Sequence, residues 1–560
     1  MMVAGFLRAS SWSCESGIVR DQEHKKLEHK KLEPKCTAMA TSFQQSAERC
    51  LHQTKRHARK PWISSRTLHL LEERDKARTS RNLHLEKMLH GQVKQSVKMD
   101  RSQWLDNLLK TGDWNEIRRL RKGHRPQSGR LKNADGNVVE SDQRAETLAT
   151  YFESVQWAPR ATTGPLDSTC DDPLLVSTTS ISEAEVVESV KSLKRRKAAG
   201  ADGIPPEFWK AICTHNSPAC RWAVILCNKA WKEGSVPTSW HEATVAAIFK
   251  KGDPACCENY RPISLLAVGY KIFAAILLRR LKDAGAEDRI WPTQFGFRSG
   301  SGCADALFIA RRKVENACAR KDGNLLLLAL DWAKAFDSIS PASLVNAMSR
   351  FGIPCHFCSV VRGIYNGRHF MVRDGGVTSR QHAQCFGISQ GCPLSPFLFS
   401  IVMTMLIQDA RAAFLSRRNP AQTGEFSELM YADDTLILAV NNEDAEIYMQ
   451  CIEQAGRMYG LQLNWNQLEV LPVRCEARIK KPNGDSVVSK ESLLYFGSFL
   501  YDNGSIGPEL NRRLGAARAE FETLCRVLFS QTQRRSEFLK LAYFPNCCIV
   551  CTQHGLTKPN

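Results

Sequence analysis

From Leu325 to Leu330 the chain reads LLLLAL, and the next residue is Asp331. A near-continuous apolar run of this length, from Asn324 to Leu330, predicts a buried central strand, covered on both faces. A second short-strand pattern, Leu429 to Ala432 and Thr435 to Val440, surrounds Asp433 and Asp434, which predicts a hairpin with the two aspartates at its tip. Carboxylates at the ends of buried strands are costly unless something neutralises them. A hard divalent cation does so well, because magnesium prefers carboxylate oxygens, water and phosphate. By itself the Asp433-Asp434 pair reads equally as an ordinary turn, since turns favour Asp.

Other segments are regular. Ser182 to Leu193 predicts a helix capped by Ser182, with Glu183 and Glu185 in its first turn. Ala243 to Phe249 predicts a strand, Ile272 to Leu281 a helix, Ala145 to Val155 an amphipathic helix, and Pro393 to Phe414 a long apolar helix. The longest apolar stretch, Pro396 to Ile407, is interrupted by Ser400 and Thr404 and is shorter than the roughly 20 residues that span a bilayer. No membrane partner is expected, and no secretory signal is seen at the N-terminus.

Charge narrows the partners. Lys and Arg outnumber Asp and Glu by 77 to 58, a net +19, which favours polyanions and chiefly nucleic acid. Residues 51–130 carry 20 Lys and Arg against 8 Asp and Glu; so large an imbalance over a short span favours a polyanion partner over the plainer reading, a solvated helix face. The 21 cysteines are scattered and odd in number, so they read as free thiols in a reducing compartment. Cys548, Cys551 and His554 have compact zinc-like spacing with no matching second half, and read as unliganded.

The expected organisation is a disordered segment 1–55 holding the repeat EHKKLEHKKLE, a basic helical extension 56–160, a linker 161–180 rich in Thr, Pro, Asp and Gly, a main body 181–505, and a basic helical tail 506–560.

Several stretches together resemble a known family. LALDWAKAFD (Leu328 to Asp337), ISQGCPLSP (Ile388 to Pro396) and YADD (Tyr431 to Asp434) resemble, in order and spacing, the catalytic motifs of reverse transcriptases. KAAGADGIPPEFWK (Lys197 to Lys210), IFKKGD (Ile248 to Asp253), NYRPISLL (Asn259 to Leu266) and QFGFRSG (Gln294 to Gly300) resemble the fingers segments, and LLYFGSFLYDNG (Leu493 to Gly504) the primer-grip region. The set is similar to the long-interspersed-element class of non-LTR retrotransposons and covers roughly residues 135 to 530. The resemblance implies an α+β right-hand polymerase: fingers and palm over 181–505, an antiparallel palm sheet backed by helices, and a partial thumb over 506–560. It implies copying of an RNA template onto a DNA primer from deoxynucleoside triphosphates, with two Mg²⁺ ions, for which Mn²⁺ is a substitute.

Carried over by position, Asp331 and Asp433 would ligate both metals, with Asp434 completing the catalytic and metal set and facing the primer end. Lys251 and Arg261 would clasp the triphosphate. Phe336 would exclude a ribose 2′-hydroxyl, a role that also argues against an RNA-dependent RNA polymerase; by itself it reads as a core ring. Gln390 and Gly391 would line the nucleotide and template pocket, Gly391 by allowing close backbone approach. Tyr431 would contact the primer terminus beside that pocket. Asp337 reads as structural and is left out of the site.

The pattern is broken in places. Gly460, Leu461 and Asn464 match a segment normally followed by a lysine that protonates pyrophosphate, but that position is Gln467. Glutamine is no general acid, and a tuned proton donor is worth about 10²- to 10⁴-fold in rate. A catalytically impaired RNA-binding protein is therefore the alternative reading. The first 180 residues show no endonuclease constellation and the thumb looks short, so the chain is expected to be a fragment or a decayed copy, with the priming nick made elsewhere. It is expected inside the cell, in the nucleus or cytoplasm as a ribonucleoprotein; Arg118, Arg119, Arg121 and Lys122 serve nuclear entry or RNA binding equally well. Nothing in the sequence fixes the oligomeric state.

Overall fold

The computed structural model describes residues 62–80, 82–111, 130–163, 171–419 and 425–528, together with Thr41, Ser42 and Gln45. The expected disorder of 1–55, the Arg118–Lys122 cluster, the Cys548–His554 group and the tail beyond 528 lie outside the described residues.

The chain divides into two compact units, residues 51–125 with 505–560, and residues 1–50 with 126–504. The basic extension 56–160 is thus cut near 125: its first part clusters with the tail, and its remainder with the main body. In the smaller unit, α1 (Ser65–Thr79) and α2 (Leu83–Thr111) pack side by side. Asp100 joins them, accepting from Thr67 Oγ1 at 2.6 Å and from the Ser64 N–H at 2.8 Å.

The main body begins with α3 (Arg144–Tyr151), which continues as a single π turn, Phe152–Gln156. The segment expected as a linker is partly a packed strap. Leu174 and Val176 are buried, Leu175 between them is 93% exposed, and the Leu174 N–H donates to Gly352 O at 2.8 Å. Period-two burial explains this: alternate apolar residues enter the core while the polar composition faces out. Helix α4 (Glu183–Ser192) carries the expected cap as a full capping box, Ser182 with Glu185.

The central sheet runs β10-β9-β3-β8-β7. Its strands are β3 (Leu325–Leu330), β7 (Phe426–Tyr431), β8 (Asp434–Ala439), β9 (Glu469–Val473) and β10 (Val488–Ser489). All pairings are antiparallel except β10 with β9. The LLLLAL run has the expected cause. Leu326, Leu328 and Leu330 enter the larger core, and Leu325 and Leu327 enter a second one, so β3 has no solvent face. The larger core includes α8 (Ser395–Arg417) and α9 (Asn442–Met458); the second includes the helix Cys303–Ala319 and the hairpin β11 (Ser492–Tyr495) and β12 (Ser498–Tyr501). By length and composition α8 would suffice to cross a membrane, but most of it is buried in this core. Its polar residues are satisfied locally: Thr404 Oγ1 donates to Ser400 O at 2.8 Å and accepts from Trp291 N–H at 3.1 Å.

A second sheet has the order β2-β1-β4-β5, with β6 on β4. It is built from β1 (Glu242–Phe249), β2 (Tyr260–Leu265), β4 (His369–Asp374), β5 (Val377–Thr378) and β6 (His382–Ala383). Strands and helices are mixed along the chain, an α+β arrangement.

Candidate active site

The expected aspartates meet because β3 and β8 are neighbours. Leu330 pairs with Thr435, so Asp331 lies just past the last pair, opposite Asp434. Adjacent antiparallel residues have Cα atoms roughly 4.5–5.5 Å apart. Tyr431 pairs with Asp434, leaving Ala432 and Asp433 as the turn. Ala432 takes φ 58°, a left-handed conformation that costs a non-glycine residue energy. Gln294 holds it there. This fully buried amide accepts from the Ala432 N–H at 2.8 Å and the Gly296 N–H at 2.8 Å, and donates to Ala432 O at 3.1 Å. The sequence showed Gln294 only as part of a motif, not as the support of this turn.

Burial raises all three carboxyls, and the charge of Asp331 acts on the other two. Burial raises Asp331, opposed by a hydrogen bond from Asn464 Nδ2 at 3.2 Å and by Lys250. Asn464 also donates its backbone N–H to Asp331 O at 2.8 Å, which fixes the residue from both sides. Burial raises Asp433 too, with the charge of Asp331 adding to it and Arg261 and Lys250 opposing. Asp434 is pushed up to about 6 by burial, then by Asp433 and Asp331, although its side chain keeps an exposed surface.

Two cations bear on this group, the expected Arg261 and Lys250, the neighbour of the expected Lys251. Ile248 pairs with Arg261, so their side chains share a face, and Lys250, two residues on, returns to that face. Lys250 N–H continues the ladder to Asn259 O at 2.8 Å. Burial and the neighbouring Arg261 lower its pKa, while Asp337, Asp331 and Asp433 oppose. Lys251 follows at a bend and, like Lys250, is exposed. The signal available in the sequence was strand alternation, which motif matching ignores.

Phe336 is half-buried, stacked on Phe399 with centroids 4.3 Å apart and set edge-on to Phe297 at 6.0 Å. Its backbone pairs with the loop that follows, Ile388 N–H donating to Phe336 O at 2.8 Å. Gln390 stands at the end of this loop. Gly391 has φ 124°, and a Cβ there would lie 2.5 Å from Ser264 O, so close backbone approach to β2 accounts for the glycine. Tyr431 packs edge-on against Phe496 at the tip of β11–β12, with centroids 5.2 Å apart. Gln467 is exposed on the 3₁₀ turn Trp465–Gln467, just after Asn464.

Among the described residues no three His, Cys, Asp or Glu side chains converge as a ready-made metal cage. Magnesium does not require one, since it keeps several waters and takes one or two carboxylates plus substrate phosphates. Hard oxygen donors, two of them raised by a neighbouring carboxylate's charge, fit such an ion.

Residues 248–488 match the family described as reverse transcriptase (RNA-dependent DNA polymerase). The transposon TX1 uncharacterized 149 kDa protein of Xenopus laevis is 27% identical over 358 residues, which are 62% of this chain and 27% of that protein. The probable RNA-directed DNA polymerase from transposon BS of Drosophila melanogaster is 28% identical over 359 residues, 62% of this chain and 36% of its own. The retrovirus-related Pol polyprotein from type-1 retrotransposable element R2 of Nasonia vitripennis is 28% identical over 315 residues, 54% of this chain and 27% of its own. The chain therefore spans about a third or less of the length of these relatives. The solved structure of apo telomerase from Candida tropicalis covers 47% of this chain at 12% identity with a TM-score of 0.36, too slight a likeness to carry an argument.

Proposed function

We propose that this chain, whose residues 248–488 match the reverse transcriptase family and which is similar to polymerases of retrotransposons, is an RNA-directed DNA polymerase of the non-LTR retrotransposon kind that extends a primer 3′-hydroxyl with deoxynucleotides. In this reading the central sheet is the palm, the sheet of β1, β2 and β4 belongs to the fingers, and α10 (Gly507–Leu528) begins the thumb. The observation that carries it is the meeting of Asp331 with Asp433 at the ends of paired strands, faced by Lys250 and Arg261. Reverse transcriptases as a family use divalent metals, and here Asp331 and Asp433, with Asp434 beside them, would hold two magnesium ions, or manganese in their place. When bound, the ions activate the attacking hydroxyl and stabilise the leaving pyrophosphate. The protein's own part is positioning. Asn464 holds Asp331, Gln294 holds the turn that carries Asp433, and Lys250 and Arg261 present paired cations to the triphosphate. Phe336, rigidified by Phe399, would sit under the sugar and reject a 2′-hydroxyl. Tyr431 would meet the primer terminus, and Gln390 and Gly391 the nucleotide and template. The protein would work inside the cell as a ribonucleoprotein.

Gln467 favours a second reading, an RNA-binding protein with impaired turnover. Primer extension on poly(rA)/oligo(dT) with Mg²⁺, beside Asp433→Ala, separates the two. Extension lost in the variant supports the polymerase; equal template binding with no extension by either protein supports the binder.

A further inference from the structure

Asp337 lies six residues past Asp331 and is buried, and beyond its charge acting on Lys250 it has been given no role in the site described above. Its Oδ2 accepts from Gln156 Nε2 at 2.7 Å and from Gln390 Nε2 at 2.9 Å, and its Oδ1 accepts from Trp157 Nε1 at 2.8 Å. An indole N–H only donates, and only the amino end of a glutamine amide can face a carboxylate, so the direction of all three bonds is fixed. Burying a carboxyl group is costly unless its lone pairs are met, and here three N–H groups meet them.

Two of these donors come from the far end of the π turn. Trp157 N–H reaches back to Phe152 O at 2.8 Å, which widens the turn and sets Gln156 and Trp157 beside Asp337. That turn is pinned to the second sheet. His382 Nδ1 lies 2.6 Å from Glu153 Oε2 and its Nε2 lies 3.0 Å from Glu146 Oε1, while Trp157 packs edge-on against Phe370 with centroids 4.6 Å apart. On the other side, the loop bearing Gln390 lies against Asp337. Gly387 N–H donates to Ile339 O at 2.8 Å, and a Cβ on Gly387 would come within 2.8 Å of Asp337 Cα. Gln390 itself is half-buried, with its amino end tied inward.

We propose that Asp337, held by Gln156 and Trp157, is the positioning residue for Gln390, fixing its carbonyl oxygen as a hydrogen-bond acceptor toward the incoming deoxynucleotide. The segment before the fingers thereby acts on nucleotide binding without touching the nucleotide. This rests on the polymerase reading given above.

The full chain is compared with Trp157→Phe, Asp337→Asn, Gln390→Ala and the doubles with Gln390→Ala. Steady-state dNTP kinetics on poly(rA)/oligo(dT) and hydrogen exchange across residues 384–394 are both measured. Trp157→Phe keeps a ring of similar shape and removes one donor, so it serves if Asp337→Asn folds poorly. Trp157→Phe and Asp337→Asn are each expected to raise the dNTP KM about tenfold with kcat changed less than about twofold, and to have no further effect once Gln390 is alanine. Exchange across 384–394 is expected to quicken in both. Effects that add fully to Gln390→Ala, or unchanged exchange in that loop, overturn the link. Should the unaltered chain extend no primer, the polymerase reading fails, and exchange alone decides whether Asp337 orders the loop.

Discussion

Asp434 gathers the charge of both neighbouring aspartates, and this has a consequence for stability in the metal-free protein. Its carboxyl sits at about 6, above the ordinary 3.8, so the folded state binds this proton more readily than the unfolded state. The stabilising contribution is complete below a pH of about 4 and is lost as pH rises through about 6. Because the side chain is exposed, screening limits the effect to about 1 kcal/mol. The melting temperature of metal-free protein is expected to fall over that window, and Asp434→Asn to flatten the fall. Magnesium is expected to raise it more at neutral pH than at a pH near 5; equal gains at both would mean that these carboxylates do not take the ion. The cations give a sharper contrast. Carried on by alternation from the Ile248–Arg261 pair, Lys250 falls on the Arg261 face and Lys251 on the other. Lys250→Ala is therefore expected to raise the dNTP KM about tenfold, the loss of one charge-assisted contact, and Lys251→Ala to leave it nearly unchanged. The reverse order in steady-state kinetics would remove the face assignment.

At the scale of elements, the loop before α8 depends on how closely it runs to β2. Ser264 N–H donates to Gln390 O at 3.0 Å, and Gly391 leaves no room for a side chain. Gly391→Ala is expected to cost about 2–3 kcal/mol from the clash and the strained φ, read by urea unfolding, with dNTP KM rising as the loop shifts. A variant as stable as the parent would mean that the loop is not fixed by β2. The elements that carried the aspartates were legible because a strand covered on both faces must be apolar throughout, and Leu325 to Leu330 is. What escaped notice depended on contacts between distant segments. Nothing local to Gln294 tells that it braces a turn 138 residues away. Lys250, beside the expected Lys251, was not singled out because counting along a motif does not say which side of a strand a residue faces. Leu174 and Val176 were hidden in linker-like composition, and the division near residue 125 falls inside a uniformly basic stretch.

For the whole molecule, the net +19 sets how it meets a polynucleotide. Each phosphate neutralised releases counterion, so log K falls with log salt by about 0.7 per contact on a single strand. Helix α2 offers a place to test this. Lys87, Lys94, Lys98 and Arg101 are exposed at spacings of seven, four and three residues, which bring them to one side of a helix. No acidic partner to any of the four is found among the described ion pairs. If this side grips RNA, replacing all four with glutamine should weaken binding of a single-stranded RNA and reduce the salt slope by up to about 3, at unchanged melting temperature. The slope carries more information than the affinity. A variant that binds less tightly with the same slope has lost shape or packing, whereas a shallower slope counts phosphates no longer met. An unaltered slope and affinity would assign this face to solvent, and the excess charge that selects a polyanion would have to act elsewhere on the chain.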